Sequence, residues 1–118
     1  LRHNKIVELE DDCFIGSNKL RTLDLSHNKI EFIRENWFNG LKLLIKLNLR
    51  SNFIRYIDKH SFKDLSSLVE TLTLNNQKLT RLAPYSFIGM NKLQMLQLSS
   101  NTISKLENFT FIGLDRLS

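Results

Sequence analysis

The chain has one cysteine, one proline and one tryptophan in 118 residues, and no apolar run long enough to cross a bilayer. Its richest apolar stretch, residues 41–49, is broken by Lys42, Lys46 and Asn48, so no spanning helix or signal-peptide core is visible in it. The lone thiol, Cys13, has no partner within the chain. Enzyme signatures are absent as well: there is no G-x-S-x-G, no H-E-x-x-H and no phosphate-binding glycine loop. Glycine is scarce, and all four copies (Gly16, Gly40, Gly89, Gly113) fall two residues after a phenylalanine.

Those phenylalanines belong to a ladder, Phe14, Phe38, Phe62, Phe87 and Phe111, spaced 24, 24, 25 and 24 residues apart. Each closes a unit of the form L-x-L-x-x-N-x-I-x-x-I-x-x-x-x-F. A unit this short cannot enclose a core alone and must bury its apolar face against the next copy. The chain is therefore expected to be a solenoid, which offers surfaces rather than an enclosed pocket, and this points to binding.

Numbering each unit from Leu20, Leu44, Val69 and Leu93, positions 4 and 6 are Leu23 and Leu25, Leu47 and Leu49, Leu72 and Leu74, Leu96 and Leu98. The alternation turns these leucines one way and the residues between them the other, as in a short strand. Stacked strands give a parallel sheet with its leucines inward. Position 9 is Asn4, Asn28, Asn52, Gln77 and Asn101. A buried amide must be hydrogen-bonded or it costs roughly 1–3 kcal/mol, so these side chains should bond the backbone where it leaves the strand. Positions 11 and 14 add core: Ile6 and Leu9, Ile30 and Ile33, Ile54 and Ile57, Leu79 and Leu82, Ile103 and Leu106. In the unit without the glycine, Asp64 is expected to take the left-handed turn instead. That unit is one residue longer, with Leu68 and Val69 competing for its boundary, and Gln77 follows. A local bulge and a change in curvature are expected there.

These units resemble leucine-rich repeats of the 24-residue extracellular type, found in Toll, Slit and chaoptin-like adhesion and signalling ectodomains. The resemblance covers the whole chain. It implies an α/β solenoid: a horseshoe segment with a short-stranded parallel concave sheet and irregular convex loops. The repeats are expected at about 1–19 (partial), 20–43, 44–68, 69–92 and 93–116, as one array over 1–118. Leu1 already occupies position 6 and Leu117 opens a further unit. With no cysteine-rich caps, the chain is expected to come from the middle of a longer array. The resemblance further implies a secreted or cell-surface protein without enzymatic activity or cofactor, binding an extracellular ligand or receptor protein in adhesion, guidance or innate sensing. Repeats acting as a spacer, or an intracellular scaffold, are the alternatives.

Net charge is +5. Lys19, Lys92 and Arg116 recur at the last position of their units, with Lys42 one place earlier. They form a candidate strip for a polyanion such as heparan sulfate, but the usual explanation, and the favoured one, is a solvated convex edge that keeps a leucine-rich array soluble. No aromatics interleave with these lysines, which argues against nucleic acid, and no membrane contact is expected. Cys13 precedes Phe14 where other units have Trp37, Ser61, Ser86 and Thr110, and is expected to tuck behind the spine. Asn108-Phe109-Thr110 is the only N-x-S/T sequon and falls on the convex side, making Asn108 a candidate glycosylation site.

The concave face should display positions 3, 5, 7 and 8. Its candidate ligand-binding residues are Lys46, Asn48, Arg50, Thr71, Thr73, Asn75, Met95 and Gln97, with Lys46, Arg50 and Met95 foremost. At position 13, Phe32 and Tyr56 should lie one rung apart on the lateral edge, with Trp37 on the nearby turn, as a candidate aromatic patch. His3 and His27 stack at position 8 near Asp24, but no fourth ligand accompanies them, and no metal is expected. Two imidazoliums one rung apart would repel in acid.

Overall fold

The computed structural model describes residues 1–65 and 69–117. The competing boundary residue Leu68 lies outside them. Four three-residue strands, β1 (Thr22–Asp24), β2 (Lys46–Asn48), β3 (Thr71–Thr73) and β5 (Met95–Gln97), form one parallel sheet in the order β1-β2-β3-β5. The register pairs Leu23 with Leu47, Leu47 with Leu72, and Leu72 with Leu96. Each strand is short because only the L-x-L core of the unit can alternate. Backbone bonding continues past the strands, with Leu25, Leu49 and Leu74 donating their N–H groups to Asn48, Thr73 and Gln97 carbonyls at 2.8–2.9 Å.

At position 8 the chain turns out of the sheet. His3, His27, Ser51, Asn76 and Ser100 all adopt φ between 56° and 60°. Histidine and asparagine enter the left-handed region more readily than most side chains, but serine has no such preference. His3, His27, Ser51 and Asn76 are held there by bonds to the next rung: His27 N–H donates to Arg50 O at 2.9 Å and Ser51 N–H to Asn75 O at 3.0 Å.

Position 9 then stitches the rungs together. Asn28, Asn52 and Asn101 accept at Oδ1 from the amides of Ile6, Ile30 and Leu79, at 3.1–3.3 Å. From Nδ2 they donate to the preceding rung, at Leu1, Leu25 and Leu74 O, and to their own strand, at Leu25, Leu49 and Leu98 O. Gln77 fills the same role with a longer arm: Oε1 accepts from Ile54 N at 3.2 Å, and Nε2 donates to Leu49 O and Asn75 O.

The core lies between this sheet and the phenylalanine spine. Leu25, Leu49, Leu72, Leu74, Ile30, Ile54 and Leu79 are fully buried. Phe38, Phe62, Phe87 and Phe111 stack in sequence, with centroids 6.1–6.5 Å apart and interplanar angles of 3–18°. After the spine, the glycines turn with φ of 81–95°. At Gly40 a Cβ would meet Phe14 O at 2.7 Å, so both the torsion and the packing exclude a side chain there.

Asp64 does not take that left-handed turn. It lies in a 3₁₀ turn, Lys63–Leu65, and is absent from the residues with positive φ. The extra residue of this unit is absorbed at the same place. Val69 N–H bonds Leu65 O, four residues back, where Leu93 bonds Met90 O and Leu117 bonds Leu114 O, three back. The sheet register therefore continues unbroken through β3, and the bulge expected there does not form in the sheet. A second, two-stranded parallel sheet pairs β4 (Arg81–Leu82) with β6 (Lys105–Leu106) at positions 13 and 14. Nothing in the apolar pattern distinguished those units from the others.

Candidate functional site: the concave sheet and its lateral edges

Side chains leaving the outer face of β1, β2, β3 and β5 stand one rung apart, a spacing set by the strand separation of about 4.8 Å. The face divides into two halves. In β1 and β2 the position-5 side chains cap their own chain. Asp24 Oδ1 accepts from Ser26 N at 2.9 Å and Ser26 Oγ at 2.5 Å, and Asn48 Oδ1 accepts from Arg50 N at 3.0 Å. Ser26, expected to be displayed, is buried by this turn. Burial opposes the charge on Asp24, but the Ser26 hydroxyl and amide, then Arg2 and Asn48, outweigh it and hold the carboxyl below its ordinary range.

In β3 and β5 the candidates bond across the rungs instead. Thr73 Oγ1 and Asn75 Nδ2 both donate to Gln97 Oε1, at 3.3 and 3.4 Å. Asn75 Oδ1 accepts from Ser99 N at 3.0 Å, and Gln97 Nε2 donates to Met95 S at 3.6 Å. Asn48, Thr73, Asn75 and Gln97 are thus engaged within the chain, and Thr71 is half-buried. Lys46, Arg50 and Met95 remain exposed, one on β2, one just past it and one on β5.

The His3 and His27 rings stack at 4.3 Å with a 14° interplanar angle. The His27 imidazole is held below its ordinary range, first by partial desolvation, then by the charges of His3, Arg2 and Arg50; Asp24 opposes the shift. Among the described residues, no group of three or more His, Cys, Asp and Glu is placed to hold a metal ion.

The lateral aromatic patch is not continuous. Phe32 is exposed, but Tyr56 is half-buried beneath the Arg81 guanidinium, 5.5 Å from its ring centroid. Trp37, expected on the exposed turn, is fully buried and packs edge-on to Phe38 at 6.5 Å. Its slot at position 18 faces inward, as Ser61, Ser86 and Thr110 also show. Cys13 occupies the corresponding slot yet is exposed. In a later unit the position-18 side chain reaches the preceding rung, Ser86 Oγ donating to Ile57 O 29 residues back. Asn108 is exposed, while Thr110 of the same sequon is buried and donates from Oγ1 to Glu107 O at 2.7 Å.

Residues 1–52, 20–70 and 68–118 each match the model of the leucine-rich repeat family, and the chain belongs to that family. Among solved structures it is similar to TLR13 in the crystal structure of a TLR13–ssRNA13 complex, with 32% sequence identity and a TM-score of 0.94. That match covers 99% of this chain and 16% of the TLR13 chain. No curated protein sequence matches significantly. The chain is a leucine-rich-repeat protein that resembles Toll-like ectodomains, with a fold suited to binding proteins.

Proposed function

We propose that this segment is a non-enzymatic protein-binding part of a secreted or cell-surface leucine-rich-repeat protein, engaged in adhesion, guidance or innate sensing. The likeness to TLR13 favours innate sensing among the three. One observation carries the reading: a rigid parallel sheet ties up most of its polar side chains and leaves Lys46, Arg50 and Met95 exposed at fixed spacing. A preorganised face loses little entropy on association. Alanine substitution of Lys46, Arg50 and Met95 together in the full-length protein should weaken partner binding at least about tenfold, the effect of losing one good contact. Unchanged affinity would make the segment a spacer.

A second reading follows from the RNA in the TLR13 complex, which reopens the nucleic-acid partner class set aside on sequence. Under it, Lys46 and Arg50 contact phosphates. Binding would then fall steeply with salt, and removing one lysine would reduce the salt slope by about one unit. Passage through the secretory pathway should leave a glycan on the exposed Asn108. Glycosidase treatment of the secreted protein, compared with Asn108→Gln, tests this by a mobility shift lacking one glycan.

A further inference from the structure

On the flank where the chain leaves the sheet, position 10 reads Lys5, Lys29, Phe53, Lys78 and Thr102. Backbone bonds fix this column rung upon rung: Lys29 N–H donates to Ile6 O, Phe53 to Ile30 O, Lys78 to Ile54 O and Thr102 to Leu79 O, at 2.8–3.1 Å. Phe53 is 42% exposed with a complete rung on either side, so its exposure does not come from an open end of the array. Two shallow clefts meet at Phe53 and Lys78. One, of about 330 Å³, is completed by Arg55 and Thr80. The other, of about 250 Å³, is completed by Ser51, Asn52, Asn76 and Gln77.

Charge on this flank is unevenly answered. Arg55 is paired with Glu31 at 3.4 Å, whereas Lys29 and Lys78 have no ion-pair partner among the described residues. The arrangement is an exposed ring between two unanswered ammonium groups, with hydroxyl and amide groups alongside. We infer that this column docks an extended acidic segment of the protein partner, with an apolar side chain on Phe53 and a carboxylate toward each of Lys29 and Lys78. The inference rests on the protein-binding reading above but uses a different surface from Lys46, Arg50 and Met95.

The spacing suits such a chain. Lys29 and Lys78 stand two rungs apart, about 10 Å at the backbone. In an extended peptide, side chains two residues apart share a face, and positions i and i+4 are about 13 Å apart. Lysine stems are long enough to close the difference. The recognised pattern is therefore acid-x-apolar-x-acid. A sulfated or phosphorylated polymer would use the lysines but gain little from Phe53. A single-stranded nucleic acid would want aromatic platforms on successive rungs, and this column has one.

The test uses the full-length protein and a short fluorescein-labelled peptide containing Glu-Ser-Leu-Ser-Glu, read by anisotropy. Phe53→Ser and Lys78→Glu should each weaken binding at least about tenfold, and replacing either both glutamates or the leucine in the peptide should do the same. Thermal melts of both variants should match the parent, because both side chains are exposed. Peptide binding unaffected by Phe53→Ser overturns the inference, as does equal capture of heparin or oligouridylate by the same column. Natural-partner binding that is lost with Lys46, Arg50 and Met95 but indifferent to Phe53 and Lys78 also overturns it, and leaves the proposed function standing.

Discussion

On the concave side, units of 24 and 25 residues pair in one register without interruption, Leu47 opposite Leu72 and Leu72 opposite Leu96. Among the described residues, the convex side admits a glycine turn in four units, a 3₁₀ turn in another, and paired strands in the units of β4 and β6. The difference follows from what each side must satisfy. In the sheet, backbone groups are matched rung to rung in one register, and a slip of one residue would turn the leucines outward. On the convex side most bonds are local turns of three or four residues, so one more residue lengthens a turn without disturbing its neighbours.

The largest test of this contrast is in the spine, the one convex column as regular as the sheet. Phe62→Ala removes a buried ring stacked on both neighbours and should cost about 3–5 kcal/mol in denaturant unfolding. Thr73→Ala, on the sheet face, should cost far less; the reverse order would mean the spine does not bear the core. Gly40→Ala should cost at least about 1–3 kcal/mol from backbone strain alone. Gly16 has the same φ of 95°, but a Cβ added there would meet no atom within 4 Å, so the excess at Gly40 over Gly16→Ala measures the clash with Phe14 O.

Asn52→Ala strips the side-chain bond from Ile30 N and one of two side-chain donors from each of Leu25 O and Leu49 O, which keep Asn28 Nδ2 and Gln77 Nε2, at roughly 1–3 kcal/mol. Gln77→Asn should change stability by no more than about 0.5 kcal/mol, because the shorter amide restores the geometry of its neighbours. A loss as large as that of Asn52→Ala would show that the longer unit needs the longer arm.

The smallest effect concerns acid. The folded state holds His27 below its ordinary pKa, so the unfolded chain takes up a proton first as pH falls. The contribution is complete above about pH 6.5 and declines as pH drops toward the folded value. His27→Gln should flatten the dependence of melting temperature on pH across that window; an unchanged slope would locate the titration elsewhere.

The regular columns are legible in the sequence because each serves one physical demand repeated every unit: leucines for burial, asparagine for orphaned backbone groups, glycine for a positive φ. The left-handed position 8 is not, since Ser51 carries no residue preference for it and is held there by its bond to the next rung. Trp37 and Cys13 depart from their expected places for a related reason. Whether position 18 is covered depends on the preceding rung, which a single unit's pattern does not contain. Of the concave candidates, residue type points to the exposed Lys46, Arg50 and Met95. It gives no sign that Thr73, Asn75 and Gln97 bond to one another.

The position-9 amides have one more consequence, in time rather than space. Every bond that Asn28, Asn52, Gln77 and Asn101 make to another rung reaches residues 22 to 28 places earlier in the chain. As the polypeptide leaves the ribosome, each amide emerges after all its partners. A new rung can clasp the array already built and need not wait for anything downstream.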